Sequence, residues 1–114
     1  MARVDKILTV TTANRMRQAL AEIVASVATK VGAAQSRLRP ADVQRKAIGD
    51  FVTAVDLRSE KRLRLDLRQL MPEAGFLGEE SGSSDLGCDW LWAVDPIAGT
   101  SNFSRGLPRY AGSV

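Results

Sequence analysis

Four acidic residues sit where apolar segments give way to turns. Asp56 closes G-D-F-V-T-A-V-D, Glu79 and Glu80 follow F-L-G, and Asp95 ends W-L-W-A-V-D. Carboxylates delivered to such turns from separate elements can converge, and oxygen donors gathered without nitrogen or sulfur partners suit a hard dication such as Mg2+. The Asp95-Pro96-Ile97 turn adds another oxygen, because the carbonyl of Ile97 can swing back onto the ion that the carboxylate holds. Gly99, Thr100 and Ser101 follow, small residues whose backbone N–H groups could cradle a phosphate as at a helix N-terminus. Metal and anion side by side point to phosphoryl transfer to water.

These turns need elements to carry them. Thr11 or Thr12 can cap a helix. Apolar residues then recur at Met16, Leu20, Ile23, Val24, Val27 and Val31, and this spacing predicts an amphipathic helix from about Ala13 to about Ala34. Pro40 disfavours helix at Arg39. A short β-prone piece is expected around Phe51 and Val52, ending in Thr53. Thr53 with Asp56 resembles a capping pair, which leads into a second helix from about Val55 with Leu63, Leu67 and Leu70 on one face and Pro72 at its end. Asp56 thus has an alternative reading as a helix-start residue favoured by the macrodipole. A-G-F-L-G-E-E-S reads as a brief strand running into the acidic turn, S-G-S-S-D-L-G as a surface loop, and W-L-W-A-V-D as a strand buried on both faces. Alternation sends Trp90 and Trp92 to one face of that strand as core. R-Y-A-G-S-V looks like a further strand just beginning, and a chain ending inside a strand looks truncated.

Composition narrows the chemistry. Hydrophobic residues make up 45% and charged residues 25% of the 114, the balance of a globular domain. The net charge is +3, yet no basic run is interleaved with aromatics to stack bases, so nucleic acid is not an expected partner. In the densest basic segment, S-E-K-R-L-R-L-D-L-R, Glu60 and Asp66 recur at helical spacing, which predicts a solvated helix face. Histidine is absent, which excludes Ser-His-Asp hydrolysis and His-ligated zinc and leaves the single cysteine, Cys88, with no base to activate it. A lone thiol permits no intrachain disulfide and fits the cytoplasm. Asp5 and Lys6 interrupt the apolar run a signal peptide requires, and no segment approaches the roughly 20 apolar residues of a membrane span, so neither export nor membrane insertion is expected.

Three stretches, in order, resemble one family, the Mg2+-dependent, lithium-sensitive phosphatases typified by inositol monophosphatase. G-D-F-V-T-A-V-D is similar to the family's DLVTxxD element, F-L-G-E-E-S to its GEES turn and W-A-V-D-P-I-A-G-T-S-N-F to its W-x-x-DPIDGTxNF motif. The resemblance implies that Glu79, Asp95 and the Ile97 carbonyl hold the first metal and position the water that attacks phosphorus. It implies that Thr100 orients that water, that Asp56 hydrogen-bonds Thr100 and helps take the proton, and that Gly99, Thr100 and Ser101 hold the phosphate. Lys46 is a softer match for a basic residue near the metals. Glu80 is read as a neighbour of the ligands or a solvent-facing residue, and Arg105 and Arg109 as ordinary surface residues rather than substrate contacts.

One position departs from the pattern. Ala98 stands where the family has its second aspartate, and a methyl group cannot bind a cation. In that family the second metal is held by the first aspartate, by this one and by a third contributed late in the chain. The resemblance therefore implies the N-terminal part of a mixed α/β (α+β) domain, a layered αβαβα sugar-phosphatase-like sandwich that is incomplete, with two helices on a mainly antiparallel sheet. The expected substrate is a small phosphate ester, and the expected activity is impaired or absent. The alternative is a non-catalytic module that keeps the first metal site or an oligomer surface. Half a sheet would expose apolar surface, which admits a homodimer.

Overall fold

The computed structural model describes residues 9–38, 45–108 and 110–114. Helix α1 spans Val10–Gln35, and its cap is Thr9 rather than Thr11 or Thr12: the Thr9 hydroxyl accepts from the Thr12 N–H at 3.1 Å. Burial falls at Val27, Val31 and Ala34, the three- and four-residue steps that make one stripe. The Pro40 break lies outside the described residues.

Helix α2 spans Arg45–Leu70 and takes in the stretch expected to be β. Phe51, Val52 and Thr53 are helical because a longer period outweighs their local preference. Val52, Val55, Asp56, Ser59, Glu60, Leu63 and Leu67 are all buried, a continuous helical stripe of threes and fours. Asp56 therefore lies well inside α2, and neither its pairing with Thr53 as a cap nor the helix-start reading survives. The solvated-face reading is right for Asp66, which pairs with Arg62 at 3.2 Å, and wrong for Glu60, which is fully buried. Leu70 ends the helix two residues before Pro72, where ring geometry forbids another turn.

Strand β1 (Gly75–Gly78) pairs in parallel with β2 (Leu91–Ala98), Gly75 opposite Leu91 and Gly78 opposite Val94. Strand β3 (Ala111–Ser113) then pairs antiparallel with β2, so the three-stranded sheet is mixed rather than mainly antiparallel. The parallel pair returns through the loop 79–90, which brings the C-terminal ends of β1 and β2 to one side. The helices and the sheet share one core, in which Val31, Val55, Leu67, Phe76, Ile97 and Phe103 are buried together. The described residues cover one face of the sheet. Leu77 and Leu91, 44% and 42% exposed, lie with Ala93 on the other face, so β2 is not buried on both sides. Trp90 and Trp92 are half-buried, and Trp92 packs against the core. Of the expected layering, the described residues form one helical layer and one sheet.

Candidate active site

The parallel register determines where the acidic turns go. Gly78 and Val94 are opposed, so Glu79, the first residue past β1, lies beside Asp95, which stays within β2 and pairs with Ser113 of β3. The expected Asp95-Pro96-Ile97 turn is strand, because the ladder to β3 carries β2 on to Ala98. In open α/β sheets this carboxyl end of parallel strands is where ligands bind. Glu79 and Asp95 line one depression together with Gly78, Val94 and Ser113. Asp56, Glu80, Thr100 and Ser101 line a second one with Thr53 and Ser104. Asp56 feels the charges of Glu79 and Asp95 from the first depression, so the two form one acidic region.

Asp56 is the buried member, 7% exposed. Burial, then the charges of Glu80, Asp95, Glu60 and Glu79, push its carboxyl up from 3.8 to about 6. Each neighbour opposes ionisation and no cation among the described groups offsets them, which is the electrostatic signature of a site that attracts positive charge. Among the described residues no three acidic side chains are gathered closely enough to form a ready cage. A cation here would draw on two carboxylates and backbone oxygen, a set that suits a hard dication keeping several waters. Ile97 is buried, in the stretch between Asp95 and Ala98 where the ladder to β3 loses its regular register. Irregularities of this kind recur next to active sites, where they redirect groups out of the ladder.

Gly99 lies in the left-handed region at φ 89°, which glycine adopts without strain, and it turns the chain from β2 into α3 (Thr100–Ser104). The backbone N–H groups at the start of so short a helix have no carbonyls behind them within the helix. Two anchors fix this turn. Phe103, fully buried, meets Tyr110 edge to face at 5.1 Å, and Gln35 from the end of α1 donates to the carbonyls of Phe103 and Leu107 at 3.2 and 3.0 Å. Ala98 is exposed at the end of β2, opposite Ala111.

Sequence reasoning missed the residues that hold the Glu79 turn. The buried Glu60 carboxylate accepts the N–H groups of Glu80, at 3.3 Å, and of Ser81. Arg64, one turn further along α2, donates to the carbonyls of Ser81 and Gly82 at 3.1 and 3.3 Å and to the hydroxyl of Ser84 at 3.1 Å. Its guanidinium also sits 4.5 Å from the centroid of the Phe76 ring. The available signal was Glu60 four residues after Asp56, on the apolar stripe rather than off it. Glu80 itself is exposed, as are Arg105 and Cys88. Lys46 lies in the first turn of α2 with its side chain outside the described residues, as is Arg109.

Helices laid over a sheet in which the acidic turn after β1 lies beside Asp95 of β2 make this a mixed α/β protein with its carboxylates gathered at one side of the sheet. The chain belongs to the inositol monophosphatase family, whose model matches residues 9–114. It is 36% identical over 104 residues to the inositol-1-monophosphatase of Rhizobium meliloti, a match covering 86% of this chain and 39% of that one. It is 40% identical over 81 residues to Nus factor SuhB of Pseudomonas aeruginosa, covering 68% and 30%. The structure superposes on Mycobacterium tuberculosis SuhB with a TM-score of 0.64 and 33% identity, covering 87% of this chain and 34% of the other. The chain thus spans about a third of the length of the curated relatives it matches.

Proposed function

We propose that this chain carries the metal and phosphate end of a Mg2+-dependent phosphomonoesterase, and that its own catalysis is faint or absent because Ala98 removes a metal ligand. The observation that carries the reading is the gathering of acidic side chains at one end of the sheet: Glu79 and Asp95 line one depression, Asp56 and Glu80 line another with Thr100 and Ser101, and burial, then the charges of Glu80, Asp95, Glu60 and Glu79, raise the Asp56 carboxyl to about 6. The printed name of the Rhizobium meliloti relative supports an inositol monophosphate as substrate; a related sugar or nucleotide phosphate fits the same chemistry.

In this reading Glu79, Asp95 and the Ile97 carbonyl hold Mg2+. Bound there, the ion supplies Lewis-acid polarisation of the phosphoryl group and favours deprotonation of water. Backbone N–H groups at Gly99, Thr100 and Ser101 hold the phosphate oxygens, the Thr100 hydroxyl orients the attacking water, and Asp56 receives its proton. A carboxyl near 6 is largely ionised at neutral pH yet more basic than an ordinary aspartate, which suits a proton acceptor. What is missing is charge stabilisation of the leaving oxygen. Ala98 has no lone pair to hold a second ion, and the loss of one preorganised charge partner costs roughly 10²–10³ in rate.

The test is Mg2+-dependent phosphate release from inositol 1-phosphate by the protein before and after Ala98→Asp. Background release from the unmodified chain is expected, with at most a partial gain in the variant, because the family's second metal also takes a third carboxylate from late in the chain. Vigorous release by the unmodified protein refutes the disabling role of Ala98. The open sheet face around Leu77 and Leu91 favours one second reading, a non-catalytic metal-binding module that associates through that face. That reading gains if the chain binds Mg2+, dimerises and releases no phosphate even with Ala98→Asp. Cytoplasmic residence is proposed on the lone, exposed thiol; among the described residues no helix is long and apolar enough to cross a membrane.

A further inference from the structure

We infer that Glu60 and Arg64 are positioning residues for Glu79: together they set the path of the turn that presents the Glu79 carboxylate, without touching an ion or a substrate themselves. The inference rests on the reading of Glu79 as a metal ligand. Three observations carry it. Glu60 is 0% exposed on a helix face that is otherwise mostly apolar, a place where a carboxylate is costly unless fully bonded. Its partners are the N–H groups of Glu80 and Ser81, the two residues directly after Glu79. Arg64 takes the opposite polarity of the same turn, the carbonyls of Ser81 and Gly82, with a second hold on the Ser81 hydroxyl at 3.3 Å.

Donors and acceptors of one turn are thus read by two side chains four residues apart on one rigid helix, the spacing that places them on the same face. The strand yields to this arrangement as well. A Cβ at Gly78 would lie 2.6 Å from the Glu60 carboxyl carbon, so the residue before Glu79 has no side chain in order that Glu60 can reach beneath it. Asp56 projects from the same stripe one turn earlier, so α2 supplies both the proton acceptor and the support of the metal-binding turn. Outer partners of metal ligands typically alter metal affinity 10- to 100-fold when removed.

The test exploits the opposite charges of the pair. Mn2+ affinity is measured by electron paramagnetic resonance of the free ion for the unmodified protein, Glu60→Gln, Arg64→Met and Glu79→Gln, with circular dichroism and thermal melts to establish folding. Simple Coulomb attraction predicts weaker Mn2+ binding in Glu60→Gln and tighter binding in Arg64→Met, because one variant loses an anion and the other a cation near the site. Positioning predicts roughly 10-fold or greater weakening in both, with partial recovery in Arg64→Lys. Tighter or unchanged binding in Arg64→Met overturns the inference, and this variant decides alone if Glu60→Gln fails to fold. Undiminished binding in Glu79→Gln instead overturns the ligand role of Glu79, whatever the other variants do.

Discussion

Asp56→Asn should make the metal-free protein more stable at neutral pH, although it removes a residue placed in the catalytic site. Asp56 is 7% exposed, and its carboxyl is raised from 3.8 to about 6 by burial and by Glu80, Asp95, Glu60 and Glu79. A folded state that holds the proton more tightly than the unfolded chain gains stability while the group is protonated. That contribution is complete below about 3.8, falls as pH rises and is gone once pH passes about 6. The rise is worth about 3 kcal/mol as an upper figure, taking 1.36 kcal/mol per pH decade. For a domain of this size that is roughly 10 °C in Tm. The assay is urea unfolding of both proteins in chelator at pH 7.5 and at pH 4. Other carboxylates titrate over the same interval, so the informative quantity is the variant's advantage over the unmodified protein: up to about 3 kcal/mol at pH 7.5 and near zero at pH 4. Saturating Mg2+ at pH 7.5 should shrink the advantage by neutralising the region. An Asp56→Asn protein that is less stable at pH 7.5, or whose advantage ignores pH, would refute the electrostatic reasoning.

Two further variants probe the frame. Gly78→Ala places a methyl 2.6 Å from the Glu60 carboxyl carbon, so thermal melts should show a loss of roughly 1–3 kcal/mol and Mn2+ affinity should fall with it. Phe103→Ala empties a fully buried ring that also braces Tyr110, and urea unfolding should show a loss of roughly 3–5 kcal/mol.

Much of this site was legible as a string because its parts are local. Glu79 and the Gly99-Thr100-Ser101 turn each follow an element whose apolar pattern is clear, and both the long first helix and β1 fall where the pattern puts them, whereas Asp95, expected at a turn, lies inside β2 because β3 pairs with it there. What could not be read was decided at a distance. Phe51, Val52 and Thr53 look like a strand over three residues and prove helical because burial from Val52 to Leu67 follows one helical stripe. The parallel pairing of β1 and β2 depends on a loop that spacing does not interpret. Glu60 and Arg64 looked like members of a mixed charged face, since side-chain charge suggests solvent unless the turn across from it is known.

The central claim is a single dication held by Glu79, Asp95 and the carbonyl of Ile97, with Ala98 denying a second. Isothermal titration of the metal-free protein with Mg2+ tests it most directly. One ion per chain is expected, and Asp95→Asn should abolish its binding. Two ions bound to the unmodified chain, or one ion bound undiminished after Asp95→Asn, would contradict it.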